Sequence, residues 1–94
     1  MTFDEAARAY IEAHQAGWRN LKHLRQWQAS LGTYVSPLIG HMPVGTIGPA
    51  DFLSVLSPIW SAKPETASRV RGRIELILDA AKARGHRDGE NPAA

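Results

Sequence analysis

The chain has 94 residues, a formal net charge of +2, 44% hydrophobic and 21% charged residues, and no cysteine. That is enough for one globular domain with one core. It excludes a disulfide framework and a thiolate metal site, and no apolar run approaches the ~20 residues of a bilayer crossing. The charge is informative in its distribution. From Ala13 to Ala50 the chain carries Arg19, Lys22 and Arg25 and no acid, and from Thr66 to Arg73 it carries Arg69, Arg71 and Arg73 and no acid. Two acid-free basic segments can form one positive face if the fold brings them together.

The apolar pattern is helical throughout, with no useful strand alternation. A first helix is expected over Phe3 to Ala16. Thr2 is its N-cap, Glu5 completes a capping box, and Phe3, Ala6, Ala7, Tyr10 and Ile11 share a face. A second opens at Asn20, a capping residue, and places Leu21, Leu24, Trp27, Leu31 and Tyr34 on one side, with Gly32 and Pro37 disturbing its far end. The segment Ser36 to Pro49 reads as a turning connection held to the core by Leu38, Ile39, Val44 and Ile47. A short third helix is expected over Pro49 to Leu56, burying Phe52, Leu53 and Leu56. Pro58 ends or kinks it, and Ile59 and Trp60 pack nearby. The fourth opens at Pro64 with Glu65 in its first turn and buries Ala67, Val70, Ile74, Ile77, Leu78 and Ala81 before stopping at Gly85. The tail His86 to Ala94 is polar and reads as a linker, so a helical domain over 1–85 and a tail over 86–94 are expected. The fold class is all-α, a small four-helix bundle.

A helical wheel sorts the basic residues. Thr66, Arg69 and Arg73 share one flank of the last helix with no acid, whereas Arg71 lies on the other flank beside Glu75 and is expected to pair with it. On the second helix Arg19, Lys22, Gln26 and, at the edge, Arg25 lie away from the apolar face. Brought together, these groups make a positive surface suited to phosphates and major-groove edges. The bland reading of the same residues is a solvated helix face, although such a face normally mixes signs. His14, His23, His41 and His86 show no metal-ligand spacing, and no nucleophile elbow or phosphate loop occurs, so no metal, cofactor or catalytic group is expected. Trp27 reads as core and Trp18 as a hydrophobic staple, rather than as platforms for bases.

The blocks "TFDEAARAYIEAH", "GWRNLKHLRQW", "PLIGHMPVGTI", "PIWSAKPETASRVRGRIELILDAAKARG" and "ENPA", in this order and spacing, resemble the core-binding domain of phage-type integrases, the tyrosine site-specific recombinases. The resemblance is closest to prophage and genomic-island members. It implies a SAM-like helical bundle that clamps one side of recombination-site DNA while a catalytic domain holds the other. It places Asn20, Lys22, His23 and Gln26 on one DNA-facing helix and Thr66, Arg69 and Arg73 on another. His23 departs from the family pattern, where a small hydroxyl residue is common. The family's catalysis needs a tyrosine nucleophile and an H-x-x-R motif. This chain has only Tyr10 and Tyr34, both in apolar stripes, and no H-x-x-R. The expectation is therefore a non-enzymatic fragment of a longer bacterial recombinase, acting in the cytoplasm on the nucleoid. Its implied partners are duplex DNA and other integrase protomers, with the isolated domain monomeric and away from membranes. The rival reading is a helical protein-interaction module, favoured by Leu76, which lies off the core stripe.

Overall fold

The computed structural model describes residues 1–94. Five helical elements follow in order: α1 (Phe3–His14), α2 (Leu21–Ser30), α3 (Ser36–Ile39), α4 (Pro49–Trp60) and α5 (Pro64–Ala83). The short α3 continues α2 through a π turn at Leu31–Val35, so four main helices make the bundle, as the apolar pattern predicts. No strand forms; a single antiparallel bridge joins Thr2 and Pro43.

Local chemistry sets the helix starts. At α1 the Glu5 amide donates to Thr2 Oγ1 at 3.2 Å and the Thr2 amide donates to Glu5 Oε1 at 2.8 Å, the reciprocal box expected from the sequence. One 3₁₀ turn (Gln15–Gly17) then extends α1 toward α2. Asn20 Oδ1 accepts from the His23 amide at 3.1 Å and opens α2. Pro49 and Pro64 occupy first-turn positions, where a missing N–H costs nothing. Pro37 has no N–H to return to the preceding turn, and the wider π turn just before it absorbs that gap. The turn keeps Leu31, Val35 and Ile39 all directed into the core.

The core is one cluster built on α5. Val70, Ile74, Ile77 and Leu78 are fully buried, and α1, α4 and the π turn pack against that stripe. Each such side chain contributes on the order of 1.5–3 kcal/mol of apolar burial. Met1, Phe3 and Asp4 bond back to the Gly40–Val44 loop through Val44 N to Met1 O at 2.8 Å, Phe3 N to Met42 O at 2.9 Å and Asp4 N to Gly40 O at 3.0 Å. Gly40 has no alternative there, because a Cβ would fall 2.5 Å from the Asp4 carboxylate. Gly85, at φ +83°, ends α5 in the left-handed region.

Several expectations change. α4 runs past Pro58 to Trp60; Pro58 faces solvent, where the carbonyl that its ring leaves unpaired can be hydrated. On α4 Val55 is buried and Leu53 exposed, while Trp60 is 59% exposed; Leu21 and Leu38 are exposed as well. Leu21 and Leu53 are expected on buried helix faces, Leu38 as a core pin of the connection and Trp60 packed nearby, but no other element covers those four positions.

The larger change is the tail. Residues 86–94, read as a linker, fold back on the bundle. Arg87 is 6% exposed. Its guanidinium donates to Val44 O at 3.0 Å, Ile47 O at 3.1 Å and Glu90 O at 2.9 Å, while Nε finds no acceptor in the protein. Asn91 Nδ2 donates to Glu75 O at 2.9 Å and Asp79 Oδ1 at 2.8 Å, and Ala93 is buried. Backbone carbonyls hold both terminal nitrogens of this buried cation without any carboxylate.

Two outcomes are expected. Arg87→Met should lower stability by at least about 2 kcal/mol, because several carbonyls lose a charged donor at once. Thermal melts check this, and the Ala93 and Ala94 amides, both bonded to Asn91, should lose exchange protection together. The second concerns Glu5, whose hydrogen bonds from Thr2 hold its carboxyl below the ordinary value of 4.5. A depressed folded-state value means that the box stabilises α1 above that pH and is lost as pH falls through it and then through the depressed value. In Thr2→Val the main-chain bond from residue 2 is kept and only the hydroxyl is lost, so the Glu5 carboxyl titration, followed by NMR, should move only part of the way up toward 4.5.

Candidate nucleic-acid interface

α2 and the first half of α5 run antiparallel along one side of the bundle. Lys63, just before α5, meets Tyr34 in the π turn after α2, and Arg73 meets Gln26 and Ser30. A cleft between them is lined by Gln26, Ser30, Thr33, Thr66, Arg69 and Arg73. A second cleft, at the start of α2, is lined by Trp18, Arg19, Asn20, Lys22, His23 and Gln26. Gln26 belongs to both. The two clefts therefore adjoin, and between them they contain Arg19, Asn20, Lys22, His23, Gln26, Thr66, Arg69 and Arg73. Arg25 is exposed but lines neither.

The start of α2 is held by aromatic stacking. Trp27, buried as expected, stacks on Tyr10 of α1 at 5.1 Å and on Trp18 at 5.2 Å between ring centroids. Trp18 in turn meets the His23 ring edge-on at 4.8 Å, and His14 stacks on Tyr10 at 4.0 Å. A continuous column from His14 to His23 thus fixes the connection between α1 and α2, as a staple would. The Tyr10 hydroxyl is pushed up by burial, the opposite of what an activated nucleophile needs.

The arginines differ from one another. Arg71 pairs with Glu75 at 3.5 Å, as the wheel implies, and also donates to Ala93 O at 2.7 Å, which ties it to the tail. The Arg69 side chain is 66% exposed, and its nearest acid is Glu65, one turn back at 4.0 Å, so the flank is not wholly free of acid. At that distance and exposure the pair contributes little. Arg73 is half-buried. Its Nη1 donates to Ser30 Oγ at 2.6 Å and Gln26 O at 3.3 Å, and its guanidinium carbon lies 5.4 Å from the Trp27 ring centroid. Burial first, and the Arg69 charge second, push the Arg73 guanidinium below its usual value.

Sequence reasoning did not single out Lys63, whose Nζ donates to Tyr34 Oη at 3.3 Å and lies 5.7 Å from that ring's centroid. The available signal was a third basic position at the start of α5, with Tyr34 one turn beyond Ser30. Of the three tryptophans, only Trp60 is exposed, and it lies in a groove with Phe52, Leu53, Leu56 and Arg71, away from the basic clefts. No group of His, Asp and Glu side chains is arranged to hold a metal ion, and no helix is long and apolar enough to cross a membrane.

The structure is thus an all-helical bundle with two adjoining, open, cation-rich clefts on α2 and α5. A family profile described as the phage integrase central domain matches residues 3–94, and the chain belongs to that family. The fold also matches the solution NMR structure of a protein from Nitrosospira multiformis, with 52% identity and a TM-score of 0.91, covering 99% of this chain and 88% of that one. No curated protein matches the chain.

Proposed function

We propose that the chain is the DNA-binding half of a clamp in a tyrosine recombinase, holding one side of recombination-site DNA during phage or genomic-island integration. The observation that carries the reading is the adjacency of its basic segments. Residues 19–26 and 66–73, more than 40 positions apart in sequence, line two clefts that share Gln26. Arg19, Lys22 and Arg69 offer exposed cations for phosphates, and Asn20, His23, Gln26 and Thr66 offer hydrogen-bonding groups between them. Lys63 extends the same surface. Bond breaking would belong to a catalytic domain elsewhere in a longer bacterial recombinase, which works in the cytoplasm on the nucleoid alongside other protomers. No tyrosyl–DNA adduct should form with these 94 residues.

A second reading, a protein-interaction module, is favoured by the exposed Leu53 and Trp60 on α4. That groove lies apart from the basic face, so the two contacts are compatible. Salt separates them: DNA binding should weaken steeply with ionic strength, whereas apolar association should not.

For the chain alone, duplex DNA should bind in the non-specific range of about 10⁻⁴–10⁻⁶ M at physiological salt. Arg69→Ala and Lys22→Ala should each reduce the log–log salt slope by about 0.9, one phosphate contact apiece. Lys82→Ala, exposed in the last turn of α5, should leave the slope unchanged. Arg71 is unsuitable as that control because it also holds the tail. Equal slopes for the Arg69, Lys22 and Lys82 variants would remove this face from the interface.

A further inference from the structure

The elements packed against the α5 stripe are α1, α4 and the π turn; α2 touches α5 mainly across the open cleft. At the far end of that cleft Lys63 joins Tyr34. In the second half of α2, a single side chain makes every hydrogen bond between the two helices. That side chain is Arg73, through Ser30 Oγ at 2.6 Å and Gln26 O at 3.3 Å. Its plane also covers Trp27, the residue on which Tyr10 and Trp18 stack. Ser30 is itself oriented, since its hydroxyl donates to Trp27 O at 3.2 Å and so presents a lone pair to Arg73.

We infer that Arg73 is a positioning residue, a strut that sets the spacing of α2 and α5, and that Arg69 rather than Arg73 supplies the phosphate contact on this flank. The inference rests on the DNA-binding reading and divides the labour within it. Two arginines one helical turn apart look equivalent on a wheel. Their surroundings differ: Arg69 has one loose partner at 4.0 Å and open solvent, whereas Arg73 has its Nη1 committed to two acceptors on α2 and its guanidinium over Trp27. Swinging Arg73 out to a phosphate would cost its bonds to Ser30 and Gln26 and its place over Trp27, whereas Arg69 has nothing comparable to give up. A half-buried guanidinium shared between two helices instead holds the edges of the cleft at fixed separation, so that Gln26 and Thr66 can face one ligand together.

The test uses three variants of the 94-residue chain, with DNA affinity measured across salt concentration. Arg73→Lys keeps the charge but loses the planar fork. Arg73→Met removes the charge and keeps a long apolar stem over Trp27. Ser30→Ala breaks the strut from the α2 side and changes no charge. All three should weaken binding by roughly tenfold, the size of one lost hydrogen bond to a charged group, with the salt slope unchanged. Amide exchange without DNA should quicken in α2 from Gln26 to Ser30 in each variant while α4 stays protected. The inference is overturned if Arg73→Lys binds like the parent while Arg73→Met loses about 0.9 of slope, since that is the signature of a phosphate contact. Unchanged binding by all three, with unchanged exchange in α2, overturns it too. If the parent itself does not bind DNA, the clamp reading fails instead, and the strut stands or falls on the exchange rates alone.

Discussion

The buried stripe of α5 is the constraint from which the rest of this bundle follows. Val70, Ile74, Ile77 and Leu78 are inaccessible to solvent, and α1, α4 and the π turn after α2 each bury their apolar faces against them. A helix enclosed on that side has only its remaining surface for polar work. Thr66 and Arg69 lie on one edge of that surface, facing α2, while Arg71 and Glu75 lie on the other, facing the tail. One helix therefore serves as core, cleft wall and tail anchor, and the angular position of each residue decides which. At Gly40 and the first residues of α1, backbone hydrogen bonds add to the burial of Phe3, Ile39 and Val44.

Much of this was legible in the sequence because the signals are local. The Thr2–Glu5 box, the Asn20 cap and the prolines at 49 and 64 each act within one helical turn, and the structure reproduces them all. The α5 stripe was legible because six buried positions recur at helical spacing. The Arg71–Glu75 pair was legible because i,i+4 residues are neighbours on any helix. What failed depended on distant partners. Leu21, Leu38, Leu53 and Trp60 are apolar and all expected to pack, but only the assembled bundle decides whether a neighbour arrives to cover them.

The tail shows the same limit in its sharpest form. A stretch of charged, glycine- and proline-containing sequence has the composition of a linker, yet Arg87 is more buried than many of the apolar residues. Its acceptors are carbonyls of Val44 and Ile47, about 40 positions earlier, in a loop whose own course is set by Val44 and Ile47 entering the core. Nothing in the tail's composition could announce those acceptors. Packing of the tail also explains why Arg71 carries two obligations, to Glu75 and to Ala93, and why its flank is crowded while that of Arg69 is open.

The basic face illustrates how far angle alone can go. A wheel assigns Arg69 and Arg73 to one flank, and both do line the cleft with Thr66. It gives direction without reach. A guanidinium extends several ångströms from its helix, and whether it ends in solvent or on a neighbour depends on what stands opposite. Opposite Arg69 is open space beside Thr33 and Ala29; opposite Arg73 are a serine hydroxyl already turned by its own hydrogen bond, the Gln26 carbonyl and an indole face. Positive charge on a helix is thus of two kinds here. One kind stands in solvent, as at Arg69, and the other bridges two helices through Nη1, as at Arg73.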